Sequence, residues 1–122
     1  MGKKVLETLS YFYHSKQKLP VKIVRPFNIY GPRMGKNNVM IKFIDNALSG
    51  KPITIFGDGA QSRSFCHIED AINGFLRVMI LGKNGEAYNI GGDENSEISM
   101  LGLAKLLLKI SNKNVNIKLT DY

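Results

Sequence analysis

Apolar residues recur at helical spacing in four segments of the chain. The first segment predicts an amphipathic helix, because its apolar residues follow the i, i+3/i+4, i+7 pattern. These residues are Val5, Leu6, Leu9, Phe12 and Tyr13. A second helix is predicted after Asn37-Asn38, which suit an N-cap, and it ends before Gly50. Two further helices are predicted over residues 68–80 and after Ser99.

Short segments rich in β-branched and aromatic residues lie between these helices and predict strands. They are Val21–Arg25, Ile53–Phe56, Ser64–Ile68, Glu86–Ile90 and Val115–Leu119. Pro26 is expected to stop the first strand, because proline removes a ladder donor. Gly57-Asp58-Gly59 reads as a tight turn that leads from one strand to another. Helices and strands therefore alternate, which predicts an α/β fold.

Composition places the chain among globular proteins of single-domain size. It has 122 residues, of which 43% are hydrophobic and 22% charged. No segment approaches the ~20 apolar residues that a membrane span needs, so no membrane partner is predicted. Cys66 is the single cysteine, which excludes an internal disulfide and fits a cytoplasmic location. His14 and His67 lack metal-ligand partners at useful spacing, so no metal site is predicted.

Positive charge is concentrated in the amino-terminal part of the chain. Residues 1–51 carry ten Lys or Arg against Glu7 and Asp45, a net charge of +8, whereas residues 52–122 carry seven against eight, a net charge of −1. A basic segment attracts anions such as nucleotide phosphates, a nucleic-acid backbone or an acidic membrane surface. The aromatic residues are interspersed with apolar positions rather than lysines, and no nucleic-acid motif is present, so nucleic acid is not the expected partner.

Three motifs occur in the order and spacing of one enzyme family. They are residues 25–33 (RPFNIYGPR), residues 57–65 (GDGAQSRSF) with Asp70, and residues 85–91 (GEAYNIG) with 98–100 (ISM). Together these motifs resemble the extended short-chain dehydrogenase/reductase family that acts on nucleotide sugars. Within that family the chain looks closest to UDP-glucuronate decarboxylases and related epimerases.

The resemblance implies a fold of two parts and a chain that is a fragment. Residues 1–35 would be the last helix and strand of a truncated Rossmann-type NAD-binding domain. Residues 36–122 would be the small C-terminal substrate-binding α/β lobe, truncated at its own C-terminus. The resemblance also implies a homodimer formed through the first helix.

The resemblance makes Lys3 both a catalytic and a cofactor-binding residue. In the family a tyrosinate takes the proton of a sugar hydroxyl while a hydride passes to NAD, which gives a 4-keto sugar. The lysine holds the nicotinamide ribose and lowers the pKa of the tyrosine. That tyrosine would stand four residues before Lys3, ahead of Met1, and the chain contains no glycine-rich motif for the NAD pyrophosphate. The chain alone is therefore expected to be inactive.

Five residues match substrate-binding positions of the family. Asn28 lies beyond the carboxyl end of a predicted strand, where open α/β sheets bind ligands, and the family asparagine contacts the sugar diphosphate. Arg63 can grip phosphate oxygens with a bidentate fork, and Arg33 is expected to line the same cleft. Phe56 matches an aromatic residue near the nucleotide base, and Val39 a residue whose backbone approaches that base.

Several alternatives stay open at the level of sequence. Asn38 and His67 replace the arginine and tyrosine that many relatives carry, so neither the sugar nor the nucleotide, UDP or dTDP, is fixed. Epimerisation, dehydration and decarboxylation are equally open. The alternative functions are a catalytically inert fragment, an assembly module that uses the first helix, and a basic nucleic-acid-binding domain.

Overall fold

The computed structural model describes residues 2–121, apart from the side chain at position 94. Within these residues four α-helices and eight short strands alternate, with a 3₁₀ turn at Glu94–Ser96. The helices are α1 (Gly2–Gln17), α2 (Val39–Leu48), α3 (Ile68–Leu81) and α4 (Met100–Ser111). The strands are β1 (Ile23–Pro26), β2 (Ile29–Tyr30), β3 (Ile53–Phe56), β4 (Ser62–Ser64), β5 (Cys66–His67), β6 (Ala87–Ile90), β7 (Glu97–Ser99) and β8 (Ile117–Thr120). The predicted α/β class is confirmed.

The chain is divided into two compact units. The first unit extends to Ile29 and takes up the chain again over Cys66–Gly92, and the second contains Tyr30–Phe65 and the chain from Asp93 onward. The sequence predicts a single boundary, after residue 35. In the structure the chain enters the second unit after Ile29 and returns to the first unit at Cys66. The assignment of residues 1–35 and 36–122 to two family domains stays a prediction.

The first unit is built on the parallel pair β1–β6. Ile23 lies opposite Ala87 and Pro26 opposite Ile90. Helix α3 packs on both strands, and Gly74 allows a close approach, because a Cβ there would lie 2.9 Å from the Ile90 side chain. The carboxyl ends of β1 and β6 therefore point the same way.

Strand β1 includes Pro26 without losing a hydrogen bond to β6. The amides of Ile23 and Phe27 donate to Glu86 O (3.0 Å) and Ile90 O (2.8 Å), so the odd-numbered residues face β6. Residue 26 directs its nitrogen toward the other edge, because backbone groups alternate along a strand. Strand β1 ends at Pro26, as predicted, and the donor that proline lacks belongs to the edge that faces away from β6.

The second unit contains the hydrophobic core of the described chain. Strands β3 and β8 pair in parallel and β4 and β7 antiparallel, and α2 and α4 pack on β3. The core residues are Met40, Phe43, Ala47, Ile53, Ile55, Met100, Leu103 and Ala104. As predicted, α2 begins after Asn38, whose side chain accepts the Met40 amide at 3.0 Å. The buried side chains of this core thus hold the helices and strands of the second unit together.

The predicted strand Ser64–Ile68 is two shorter strands, β4 and β5. The amide of Phe65 donates to Ser96 O at 3.3 Å, in the second unit, whereas the next amide, of Cys66, donates to Asn28 O at 3.2 Å, in the first. The strand is interrupted because its hydrogen-bond partner changes between these two residues.

Among residues 2–121, the helices are too short or too polar to serve as membrane spans.

Candidate functional site

Phe56 is presented on the outer face of the second unit. Side chains alternate along β3, so Ile53 and Ile55 enter the core, at 0% and 2% exposure, whereas Phe56 is 56% exposed. The strand end is secured by the amide of Gly57, which donates to Thr120 O at 2.8 Å. An exposed aromatic ring therefore lies at the carboxyl end of a parallel strand pair, the edge where α/β sheets bind ligands.

A closed loop returns the chain from Phe56 to β4. Gly57 and Gly59 have φ values of 77° and 74°, a conformation that favours glycine. The Asp58 carboxylate accepts the backbone N–H two residues further on at 2.9 Å, and the Gln61 amide donates to Phe56 O at 2.9 Å. The predicted turn is thus present, and it brings the start of β4 back to the end of β3.

Arg63 stands in the middle of β4 with an exposed side chain. Its residue lies opposite Ile98 in β7, and its Nη1 donates to Ser62 O at 2.7 Å. Among the side chains that the structure describes, no carboxylate forms an ion pair with Arg63; the nearby Glu97 accepts the Ser62 hydroxyl instead. The guanidinium therefore keeps N–H donors with which it can bind an anion.

Arg33 and Val39 lie on the segment that leads into α2. Arg33 is exposed and has a φ of 65°, a left-handed conformation that is strained for a side chain of this kind. Val39 opens α2 and is 39% exposed, whereas the next residue, Met40, enters the core. Both residues are therefore accessible on the surface of the second unit.

Asn28 follows β1 in the first unit. Its φ of 38° places it in the left-handed region that asparagine tolerates better than most residues. Its carbonyl accepts the Cys66 amide at 3.2 Å, which fixes the backbone at this point. Asn28 thus lies at the carboxyl end of the β1–β6 pair, as the sequence predicts.

Lys3 lies in the first turn of α1 and is exposed. One turn later Glu7 forms a two-point ion pair with Arg25 of β1, with Nε–Oε1 and Nη2–Oε2 distances of 2.9 and 2.7 Å. The hydrogen bond from Arg25 lowers the pKa of Glu7, and Glu7 in turn raises the pKa of Arg25. The pair joins the helix that carries Lys3 to the strand that leads to Asn28. The motifs assign no role to Glu7. The only feature of the sequence that singles out Glu7 is its spacing of four residues from Lys3.

The two histidines have structural contacts. His67 is the N-cap of α3, where its Nδ1 accepts the Glu69 amide at 3.4 Å, and the His14 Nδ1 lies 2.7 Å from Leu19 O. Burial raises the pKa of the Cys66 thiol. Within the described part of the chain, no group of three His, Cys, Asp or Glu residues is suited to a metal ion.

The predicted site residues are divided between the units. Lys3 and Asn28 belong to the first, and Arg33, Val39, Phe56 and Arg63 to the second.

The sequence profile described as "NAD dependent epimerase/dehydratase family" matches residues 1–91, which is most of the chain. The chain belongs to this family.

Curated proteins that are similar to this chain are named for different reactions. The chain is 37% identical over 122 residues to UDP-glucuronic acid decarboxylase 3 of Arabidopsis thaliana, covering 98% of this chain and 35% of that protein. It is 40% identical over 105 residues to dTDP-D-glucose 4,6-dehydratase of Dictyostelium discoideum, covering 86% and 24%. The chain thus spans about a third or less of the length of these relatives.

Solved structures of the family confirm the fold. The UDP-glucuronic acid 4-epimerase of Bacillus cereus, in complex with UDP-glucuronic acid and NAD, matches with a TM-score of 0.85 and 38% identity over 94% of this chain and 37% of that one. The dTDP-glucose 4,6-dehydratase of Bacillus anthracis, in complex with NAD, matches with a TM-score of 0.86 and 28% identity over 95% and 37%. The resemblance drawn from the three motifs is therefore confirmed, as is the Rossmann-type α/β class. The roles of the individual site residues stay predictions.

Proposed function

We propose that this chain is the nucleotide-sugar-binding portion of an NAD-dependent epimerase, dehydratase or decarboxylase. The observation that carries the proposal is the second unit, which has its own core and presents Phe56 and Arg63 on either side of one closed loop. An aromatic ring and a guanidinium suit a nucleotide base and a diphosphate respectively. Relatives named for UDP-sugar and dTDP-sugar reactions support this class of substrate.

Phe56 and Val39 are assigned to the nucleotide base. The exposed Phe56 ring offers a flat apolar face on which a pyrimidine can stack. Val39 lies at the start of α2, where its backbone can approach the edge of the base. These contacts suit a stacked base, and the choice of a pyrimidine nucleotide, UDP or dTDP, follows from the names of the relatives.

Arg63, Arg33 and Asn28 are assigned to the diphosphate and the sugar. Arg63 keeps N–H donors that can form a fork on two phosphate oxygens, and Arg33 adds a second positive charge. The amide of Asn28 both donates and accepts hydrogen bonds, so it suits a group that carries phosphate oxygens next to sugar hydroxyls. These side chains thus offer the positive charge and the hydrogen-bonding groups that a sugar diphosphate requires.

The described residues fit NAD only in part. Lys3 would hold the nicotinamide ribose, and NAD when bound would supply the hydride acceptor. The Gly57–Gly59 turn leads to β4 rather than to a helix N-terminus, so this turn does not offer the pyrophosphate site that a glycine-rich strand–helix turn would. We therefore infer that the 122-residue chain alone binds NAD weakly and does not turn over substrate.

Isothermal titration calorimetry with UDP-glucuronic acid tests the proposal on this chain. We expect Arg63→Ala to weaken binding by about 10- to 100-fold, the usual effect of losing charge-assisted hydrogen bonds. Arg63→Lys keeps the charge but loses the fork, so its affinity should lie between those of Arg63→Ala and the unchanged chain.

Arg77→Ala is the matched control, because Arg77 is an exposed arginine on α3 in the first unit. It should leave the affinity for UDP-glucuronic acid unchanged. Equal affinities of Arg63→Ala and the unchanged chain would contradict the assignment of Arg63. Equal losses in Arg63→Ala and Arg77→Ala would show that only net charge matters.

A further inference from the structure

The loop that joins β3 to β4, residues 57–61, is anchored on the first turn of α4. The Met100 amide donates to Gln61 O at 3.0 Å, and the Leu101 amide donates to Gly59 O at 3.1 Å. The first amides of a helix have no carbonyl partner within that helix, so the two contacts satisfy α4 and fix the loop at the same time. The loop therefore has a firm support within the second unit.

Gly59 allows the loop to lie directly on α4. The residue is buried, and a Cβ there would lie 3.1 Å from the Leu101 Cβ, closer than ordinary van der Waals contact. Gly57 and Gly59 also have the positive φ values that close the loop. Glycine accepts such conformations, but it leaves the chain more backbone freedom than any other residue does. A loop with two glycines thus needs further contacts to stay ordered.

Gln61 supplies such a contact with its side chain. Its Nε2 donates to Phe56 O at 2.9 Å, while its own carbonyl accepts the Met100 amide. The residue is partly buried, and it stands five positions after Phe56 and two before Arg63. One side chain thus ties the end of β3 to the start of β4, and with them the two residues assigned to the base and the diphosphate.

We propose that Gln61 is a positioning residue of the nucleotide-sugar site, which touches no ligand itself and holds Phe56 and Arg63 at the separation that one nucleotide diphosphate requires. The inference rests on the proposed function. A base and its diphosphate belong to one molecule, so their two partners must stand at a fixed distance. A loop that is ordered before binding avoids the entropy cost of being ordered in the complex.

Gln61→Met tests the proposal, because methionine keeps the length and the lack of charge but has no N–H donor. Gln17→Met is the matched control, since Gln17 is an exposed glutamine of the first unit. In calorimetry with UDP-glucuronic acid, Gln61→Met should weaken binding about fivefold, the effect of one lost neutral hydrogen bond. Gln17→Met should leave the affinity unchanged. Equal affinities of the two variants would overturn the proposal.

Combination with Arg63→Lys separates positioning from direct contact. The flexible lysine stem needs no exact placement of its backbone, so adding Gln61→Met to Arg63→Lys should cost less than about twofold in affinity. A further fivefold loss in this double variant would show that Gln61 acts independently of Arg63, and would contradict the positioning role.

The loop itself can be followed without a ligand. Nitrogen relaxation of the Gly59 and Ala60 amides should report more motion on the ps–ns timescale in Gln61→Met than in the unchanged chain. Identical relaxation would refute the inference. Affinity that falls in Arg63→Ala but not in Gln61→Met would refute the role of Gln61 alone, whereas an unchanged chain that does not bind UDP-glucuronic acid would refute the proposed function as well.

Discussion

The two-point contact between Glu7 and Arg25 is the strongest charged interaction among the described side chains. It connects α1 with β1 through distances of 2.9 and 2.7 Å. Its geometry is the bidentate fork that arginine forms with carboxylates and that lysine cannot copy. At the scale of single residues, it fixes the helix that carries Lys3 relative to the strand that ends before Asn28.

The Glu7 carboxyl should titrate below its ordinary pKa of 4.5. A depressed pKa in the folded chain means that the pair stabilises the fold at neutral pH. That contribution is lost as the pH falls through the folded pKa. We expect Arg25→Ala to raise the pKa of Glu7 toward its ordinary value, measured by carbon NMR of the side-chain carboxyl.

Arg77→Ala is again the control, because it removes a positive charge from the first unit without touching Glu7. An unshifted Glu7 titration in Arg25→Ala would show that the contact is not formed in solution. An equal shift in both variants would assign the effect to net charge instead.

At the scale of elements, the caps explain where helices begin. Asn38 and Ser99 accept the amides of Met40 and Gly102, each at 3.0 Å. A lost N-cap typically destabilises a protein by ~1 kcal/mol. We expect this loss in the free energy of unfolding for Asn38→Ala, measured by urea denaturation. The neighbouring Asn37→Ala should change stability by less than ~0.5 kcal/mol, and a larger effect at Asn37 than at Asn38 would refute the cap.

Helix α1 has an apolar stripe that no described residue covers. Leu6 and Leu9 are 66% and 47% exposed, and α1 contains no buried residue. The predicted homodimer through this helix would cover them. Leu6→Ala with Leu9→Ala should therefore shift sedimentation equilibrium toward monomer, and Ile110→Ala should not. A monomeric unchanged chain, or a dimer insensitive to the double variant, would contradict that prediction.

Local signals explain which elements the sequence predicts well. Helix α2 agrees with its prediction because a cap and a glycine stop mark its ends. Strands β2 and β7 were not predicted, since they have two and three residues and depend on distant partners. The Glu7–Arg25 pair likewise joins residues 18 positions apart. Short strands and long-range ion pairs depend on tertiary contacts, which periodicity does not record.

The motifs gave more about the site than periodicity did. Phe56 ends β3 and Asn28 follows β1, as predicted, whereas Arg63 lies inside β4 although the predicted strand begins only at Ser64. The motifs could not indicate that Arg33 and Asn28 adopt left-handed backbone conformations. They also gave no sign that the chain returns to the first unit at Cys66. Backbone strain and chain crossings follow from the packing of the whole fold.

At the scale of the whole molecule, the core lies in the second unit. Phe43 of α2 is 3% exposed, whereas Leu48 on the same helix is 59% exposed. Phe43→Ala should lower the free energy of unfolding of the second unit by ~3–5 kcal/mol, and Leu48→Ala by less than ~0.5 kcal/mol. Hydrogen exchange at Ile55 reports this unfolding. Similar exchange rates in the two variants would contradict the assigned core.

An NMR titration of the 122-residue chain with UDP-glucuronic acid checks the claim that the chain binds a nucleotide sugar. At about 1 mM ligand, the range of weak binding, the amide signals of Val39, Phe56 and Arg63 should shift together along one saturable curve. The lysines at the end of α4, Lys105 and Lys109, should stay unmoved. Shifts confined to those lysines, or no saturable shift at Phe56 and Arg63, would contradict the claim.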